Sequence, residues 1–545
     1  MNKIFTQLVK SRHLTESYIH PKYEDLLDPF LLLDMDKAVK RINRAIKTNE
    51  KILIYGDYDV DGVTASTLME QALKLAGVQK SQIEIMLPDR FIDGYGMSDR
   101  LIKKAKQDQI SLVITVDCGS RNQDIINELN LSHIDTIVTD HHECTDNLPE
   151  AVAVINPHRH DYQGPDVLKN LAGVGVAFKL AQALVKKHLI KDGQEKWLLD
   201  LVLLGTICDS MVLTQENRIL TYYGKIVLEK TRRPGLRELI KKAEVKAVTS
   251  ETIGFRIGPR LNAAGRLDTA EIALNLLRTT SSTEGAALAR KLEDLNAKRR
   301  TEQRAAVSEI EKRLKKDPDA LEDSPVIIET GKWHEGIIGI VAGRLVEEYH
   351  RPAFVLTEVE DGIFKGSGRS FGDFNLAEAL SYTKDVIEGG GGHSAAAGVQ
   401  VKRENLYKFR EKINAYYRSL NLKDQENFLH QFADLDIDEL KDFNLDLLKD
   451  LSLLEPFGPG NEEPIFCLKD AIILETHRMG QDGKHLRLIT KTQNDPDRFI
   501  KAVAFSAPES WFRIPPFSSC NILIKPTENN WNGVRSIEAR LIDII

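Results

Sequence analysis

The sequence predicts an α/β protein: two α/β lobes joined by a helical segment, with a small β-barrel at the C-terminal end. Three observations predict it. From 51 to 155, apolar runs of about five residues alternate with amphipathic stretches of about ten, the pattern of a mostly parallel sheet wrapped by helices. The same alternation resumes at Pro325. Residues 426–545 instead carry short apolar runs separated by polar turns, as in a small barrel.

Residues 1–50 read as a helical lead-in, with apolar positions of 35–46 at helical spacing. In 51–215, strands are expected at 51–55, 83–87, 112–116, 134–138 and 151–155. Helices are expected at 63–76, 99–106 and 122–131, followed by a helical block over 173–211. The segment 216–320 reads as helical apart from a Gly/Pro-containing interruption at 254–266. The second lobe, 321–425, has expected strands at 326–329, 353–357 and 362–369 and helices at 336–348 and 375–387. A GGGG run follows at 389–392. In the barrel, strands are expected at 464–468, 471–474, 486–490, 500–505 and 521–524.

Composition narrows the class. Among 545 residues, 42% are hydrophobic and 28% charged, which excludes wholesale disorder, collagen-like repeats and a disulfide miniprotein. The five cysteines (Cys118, Cys144, Cys208, Cys467 and Cys520) form no CxxC pair and read as reduced thiols of a cytoplasmic protein. Residues 1–14 have no apolar core of a signal peptide, and no apolar run approaches membrane-spanning length. Net charge is 74 − 81 = −7, so any polyanion site must be local. Segment 212–316 carries 23 basic against 13 acidic residues, while 426–455 carries 9 acidic against 2 basic.

The chemistry-bearing residues sit at strand ends. Asp57, Asp59 and Asp61 follow the first strand, Asp117 follows the third, and Asp140, His141 and His142 follow the fourth. In open α/β sheets, ligands bind beyond the carboxyl ends of the strands. A lone DxD is usually a solvated turn or a helix cap, but its recurrence with acids and imidazoles at two further strand ends selects a shared site. So many carboxylates at one edge disfavour each other's ionisation unless cations intervene. Mixed carboxylate and imidazole ligands favour Mn²⁺, Mg²⁺ or a related divalent ion, and paired ions suit phosphoester displacement.

The segments ILIYGDYDVDGVTAS, TVDCGS, VTDHHE and GTICDSM resemble the four motifs of the DHH phosphoesterase superfamily. PDRFIDGYGMS, LAGVGVAFKL, RIGPRLNAAGRL, WHEGIIGIVAGRL, GSGRS, GGGGHSAAAG and PFGPGNEEPIF bring the likeness to its RecJ branch, along nearly the whole chain. That resemblance implies a DHH domain at 51–215, a basic helical connector at 216–320, a DHHA1 domain at 321–425 and an OB-fold-like domain at 426–545. It implies a two-metal, single-stranded-DNA-specific 5′→3′ exonuclease that releases 5′-mononucleotides in recombination and repair. One ion would be held by Asp59 and Asp117 with Asp57 nearby. The other would be held by Asp61, Asp117, His141 and Asp209, with Asp117 as the bridge. His142 would face the scissile phosphate as donor or general acid. Asp209 is identified by the resemblance alone. The sequence departs from the family at Cys208 and at Ser210-Met211-Val212, which are not ligand positions.

The resemblance further implies that Arg266, Ser367 and Arg369 grip the 5′ end, with Arg90 and Arg260 as additional contacts. Arginine forks suit phosphate oxygens. The glycines before His393 resemble a nucleic-acid-binding signature. His393 is either a phosphate or nucleoside contact or a core residue, and the case for His334 is weaker. The basic run 297–316 reads first as a solvated connecting helix, although its charge also suits a channel wall. A monomer is expected, with single-stranded DNA as substrate. A single-strand-binding protein and a RecQ-type helicase are the candidate partners.

Overall fold

The computed structural model describes residues 1–94, 96–317, 324–422, 432–480, 482–531 and 533–545. The expected boundaries at 320/321 and 425/426, and Tyr95 of the PDRFIDGYGMS motif, lie outside the described residues.

The first sheet consists of β1 (Ile52–Tyr55), β2 (Ile83–Met86), β3 (Leu112–Val116), β4 (Asp135–Thr139) and β5 (Ala153–Ile155). All neighbours are parallel, in the order β2-β1-β3-β4-β5. Every residue of β1 and β3 is buried. Helices cover both faces, which is why these strands are continuous apolar runs and not alternating ones. The chain passes from β1 out to β2, then back across to β3. That reversal opens a crevice between the carboxyl ends of β1 and β3, where sheets of this order bind ligands. The helix Val60–Leu75 starts directly beyond β1, and its first turns are buried against the helices Gly173–Lys186 and Leu199–Cys208.

The connector departs from expectation at 254–266. Gly258 and Pro259 read as breakers, yet the residues form a π-turn at Ile253–Ile257 running directly into the helix Gly258–Leu267. The widened π-turn immediately before Pro259 is what lets the helical run accommodate a residue with no N–H to donate. The long helix Ser282–Lys316 then crosses to the second lobe.

The second sheet has the order β6-β7-β8-β10-β9, from β6 (Ile327–Gly331), β7 (Ala353–Glu360), β8 (Ile363–Arg369), β9 (Gly389–Gly392) and β10 (Ala396–Lys402). The GGGG run is therefore an edge strand, paired antiparallel with β10. The helix expected over 375–387 is shorter, Leu376–Tyr382.

The C-terminal barrel is closed. β12 (Phe466–Met479), β13 (His485–Thr492), β14 (Asp495–Ala504), β16 (Val534–Ile544) and β15 (Ser519–Trp531) form a ring, with β15 returning to β12 and β11 (Leu435–Ile437) flanking it. β16 has no counterpart in the sequence reading, because its polar outer face (VRSIEARL) masks the apolar alternation. The lead-in is divided. Ile4, Phe5 and Leu8 of the helix Lys3–Ser11, with Ile19, join the barrel's core, whereas the helix Met35–Thr48 packs on the first lobe. Arg218 clasps this junction. Its fully buried guanidinium donates to the carbonyls of Tyr18, Leu453 and Glu455. No helix among the described residues is long and apolar enough to cross a membrane.

Candidate metal centre and anion pocket

The carboxylates converge because the backbone turns sharply after β1 and β3. Asp59 caps the helix Val60–Leu75, accepting from the Gly62 amide at 3.0 Å. Gly62 admits this turn, since a Cβ there would lie 2.4 Å from the Asp57 carbonyl oxygen. Asp117 adopts the left-handed conformation (φ 61°), one that aspartate tolerates better than most residues. Its side chain is cradled by Gly173, where a Cβ would sit 2.6 Å from Asp117 Oδ1. Gly205 clears space for Asp61 in the same way, at 2.5 Å.

Three overlapping groups result, each with potential ligand atoms within 4.8 Å of one another: Asp57, Asp59 and Asp117; Asp61, His141 and Asp209; and Asp117, His141 and His142. His141 Nε2 lies 3.1 Å from Asp117 Oδ1, 3.6 Å from Asp209 Oδ2 and 3.9 Å from Asp61 Oδ2. Asp61 also serves the fold, because its carboxylate receives the Gly173 and Val174 amides at the start of a helix (2.6 and 2.9 Å).

The electrostatics of this cluster call for cations. Burial raises Asp57, Asp61, Asp117 and Asp209, and their mutual repulsion raises them further. Asp57 Oδ1 is buried without a hydrogen-bond partner, which ordinarily costs about 1–3 kcal/mol or more for a charged group. Burial and the neighbouring His142 pull His141 down to about 3, leaving a neutral imidazole, the form that ligates metal. The oxygen-rich, imidazole-bearing donor set fits Mn²⁺ or Mg²⁺.

His142 is set up differently. Burial lowers its pKa, but the Asp140 hydrogen bond and the charges of Asp140, Asp209 and Asp57 outweigh that and push it to about 9. Its Nδ1 lies 2.8 Å from Asp140 Oδ1. Asp140 also accepts from the His141 and His142 amides and, through Oδ2, from Ser120 N at 2.9 Å. Asp140 is the main residue that sequence reasoning left without a role. It lies in the DHH motif itself, but its burial and its four donors are invisible from spacing.

A second cluster, of guanidinium groups, lies beside the first. Burial and the repulsion of Arg90, Arg369 and Arg299 pull Arg266 down to about 9. Arg369 is lowered by burial and by Arg90. Arg90 stacks over the Tyr58 ring at 5.0 Å, so the two clusters adjoin through the DxDxD loop. Arg369 Nη1 donates to Ser367 Oγ at 3.2 Å, and Gly339, in the first turn of the helix Ile338–Tyr349, faces both. Crowded guanidinium groups of this kind bind phosphate.

The structure thus brings together Arg90, Arg266, Ser367 and Arg369. It does not bring Arg260 to them. Arg260 is held by Glu293 Oε2 at 2.5 Å and by the Arg256 carbonyl at 2.6 Å. Arg299 takes that place, its guanidinium supported by the neutral amides of Asn296 and Gln303. Nothing in the sequence distinguishes Arg299 from its neighbours in 297–316, because only the docked helix reveals which face is covered. His393 follows the edge strand β9 and feels the charges of Arg121, His142 and Glu143, so it faces the first lobe.

Clustered carboxylates and imidazoles at the switch point of a parallel sheet, with a second lobe facing them, define a metal-dependent phosphoesterase of the DHH type. Residues 51–206 match the DHH family N-terminal domain, 323–419 the DHHA1 domain and 434–543 the RecJ OB domain. The chain belongs to the RecJ family. It is 31% identical to the single-stranded-DNA-specific exonuclease RecJ of Haemophilus influenzae, over 99% of this chain and 96% of the relative. It is 34% identical to that of Bacillus subtilis over 96% of this chain, and spans 65% of that relative's length. Among solved structures, RecJ from Thermus thermophilus in complex with Mn²⁺ superposes with a TM-score of 0.79 at 27% identity, covering 99% of this chain and 77% of that one. A structure of exonuclease RecJ bound to manganese gives 0.62 at 30% identity, covering 74% and 98%.

Proposed function

We propose that the protein is a single-stranded-DNA-specific exonuclease that shortens strands from the 5′ end and releases 5′-mononucleotides. One observation carries this reading: a carboxylate–imidazole cluster adjoins a guanidinium cluster where the two lobes meet. Asp57, Asp59 and Asp117 would hold one divalent ion, and Asp61, Asp117, His141 and Asp209 a second, with Asp117 shared. Bound there, Mn²⁺ or Mg²⁺ supplies an activated water and neutralises charge developing on the phosphoryl oxygens.

The protein's own groups do the rest. Arg266, Arg369, Ser367 and Arg90 hold the terminal phosphate, which fixes where the first phosphodiester falls. His142, kept protonated by Asp140, donates to the phosphoryl or departing oxygen. His393 and the glycine edge β9 face the strand from the opposite lobe, where a backbone without side chains permits close approach. The barrel extends the nucleic-acid path.

All of these groups come from one chain, which suits a monomer. The five free cysteines suit the reducing cytoplasm. In recombination and repair, a single-strand-binding protein and a RecQ-type helicase are the kinds of partner that would present such strands.

The test is a 5′-labelled single strand incubated with Mn²⁺. The expected product is labelled mononucleotide, with a duplex left intact and Asp117→Ala inactive but folded. Binding without cleavage would refute the reading, as would activity confined to oligonucleotides of two to five residues.

A further inference from the structure

A cavity of about 760 Å³ lies on the first lobe away from the carboxylates, and nothing in the proposed chemistry uses it. It sits at the far ends of the two helices that carry metal-site acids. The helix Val60–Leu75 starts beside Asp59 and Asp61 and brings Glu70 and Lys74 to the cavity. The helix Leu199–Cys208 starts at the cavity with Asp200 and ends against Asp209. At 1.5 Å per residue, Glu70 and Lys74 lie about 14–20 Å along the helix axis from Asp61.

The lining is built around guanidinium groups, with five basic residues against three acidic ones. Arg233 is buried, at 7% exposure. Its Nε donates to both carboxylate oxygens of Asp200, at 3.0 and 3.2 Å, and its Nη2 to Gln71 Oε1 at 3.0 Å. Its Nη1 is buried with no hydrogen-bond partner. A buried donor without an acceptor is costly, and an oxyanion held against Arg233 would supply one. Glu70 alone serves both Arg278 and Lys74, at 2.6 and 2.8 Å. Arg232 makes no ion pair among the described residues. It is stacked instead, its guanidinium carbon 3.4 Å from the centroid of the Trp197 ring.

Two needs therefore meet in one cavity. The surplus guanidinium groups call for an anion. The Arg232–Trp197 stack stays open to solvent, with Trp197 39% exposed, and offers a flat surface of the kind on which nucleobases stack. Gln194, Thr279 and Thr280 add amide and hydroxyl groups suited to a base edge or a sugar. The volume is in the range that takes a small organic ligand.

We propose that this cavity is a second ligand site, which binds a nucleoside monophosphate. The phosphate would lie against Arg233, Arg278 and Lys74, and the base on the Arg232–Trp197 stack. The site shares no residue with the metal centre or with the arginines beside it, so it stands apart from the exonuclease reading. Nucleoside monophosphates are also what the proposed reaction releases.

The test is calorimetric titration of the full chain with deoxyadenosine 5′-monophosphate, with deoxyadenosine and with inorganic phosphate. EDTA and an excess of a 5′-phosphorylated single strand are present throughout, so that the anion pocket beside the metal centre is filled. The monophosphate should bind with a Kd at least tenfold below that of deoxyadenosine or of phosphate. Trp197→Leu and Arg232→Ala should each raise that Kd at least tenfold, whereas Arg369→Ala should leave it unchanged. The site is overturned if the monophosphate shows no saturable binding, or if both cavity variants bind it as the wild type does. Phosphate binding as tightly as the monophosphate overturns the nucleotide assignment. Loss of binding in Arg369→Ala does so too, because it places the ligand in the anion pocket. Should Trp197→Leu not fold, the exposed Arg232→Ala position decides alone. Failure of the exonuclease reading is seen separately, as a 5′-labelled strand left uncut in Mn²⁺, and leaves this site standing.

Discussion

Gly339→Ala separates the anion pocket from the fold with a single methyl group. Gly339 is the second residue of the helix Ile338–Tyr349, and its backbone is not in the left-handed region. By helix propensity, alanine there should be neutral or stabilising by up to about 1 kcal/mol. The new Cβ, however, would lie 2.9 Å from Ser367 Oγ and 3.1 Å from Arg369 Nη2. Both contacts are closer than carbon normally tolerates, and both involve the movable ends of side chains. The fold therefore survives while the Arg369 fork turns away. Losing one charge-assisted hydrogen bond to a terminal phosphate costs about 1.5–3 kcal/mol, which is roughly a ten- to hundredfold loss at about 1.4 kcal/mol per decade. The assay is kcat/KM on strands that differ only in a 5′-phosphoryl or 5′-hydroxyl end. The preference for phosphate should fall by about that factor, with no drop in thermal midpoint. A folded variant with the wild-type preference would show that Ser367 and Arg369 do not read the terminal phosphate.

Three further outcomes are expected. Burial and mutual repulsion hold Asp57, Asp61 and Asp209 above the usual carboxylate range, so between about pH 4 and pH 8 the metal-free folded protein retains protons that the unfolded chain has lost. Its stability then falls as pH rises, and Mn²⁺ should raise the thermal midpoint more at pH 8 than at pH 5.5. Equal shifts would count against the carboxylate cluster as the binding site. The Asp140 hydrogen bond and charge hold the His142 pKa above its ordinary value, so activity should decline as pH rises on the alkaline side of that ordinary value. Asp140→Asn should move the decline down by about 1–3 units, and an unmoved limb would remove His142 from the chemistry. Arg218→Met removes three buried hydrogen bonds to carbonyls, worth about 1.5–3 kcal/mol each to a charged donor. Amide exchange should then speed up selectively in residues 3–19 and 445–454, and unchanged exchange there would refute the clasp.

The strands of the first lobe and the carboxylate positions were legible because both follow from short-range rules. Five apolar runs of strand length announce the sheet, and acids directly after them must lie at its carboxyl edge. Asp209 obeyed no such rule. It ends the apolar helix Leu199–Cys208, and only the packing of that helix against Val60–Leu75 carries it to Asp61. The GGGG run was illegible for a different reason. Glycine has no strand propensity, so β9 exists only because β10 lies alongside it. Arg260 and Arg299 show the same limit within helices. The flanking residues cannot tell which arginine meets a glutamate and which faces a cavity, and Glu293 decides the matter for Arg260.

What unites the site is that neither charge cluster is neutralised by the other. Five clustered aspartates and four crowded arginines adjoin through Tyr58 and Arg90, close enough for Asp59 to influence Arg266. Yet among the described residues no ion pair joins an arginine of the one to an aspartate of the other. Folding would favour such pairs if stability were all that mattered, since an uncompensated buried charge is among the costliest things a protein can keep. Arg260 with Glu293 and Arg233 with Asp200 show that this chain makes buried pairs readily elsewhere. The separation is therefore a binding device. The aspartates require cations and the arginines require an anion, so with divalent ions bound a phosphodiester strand carrying a terminal phosphate would bridge the two clusters.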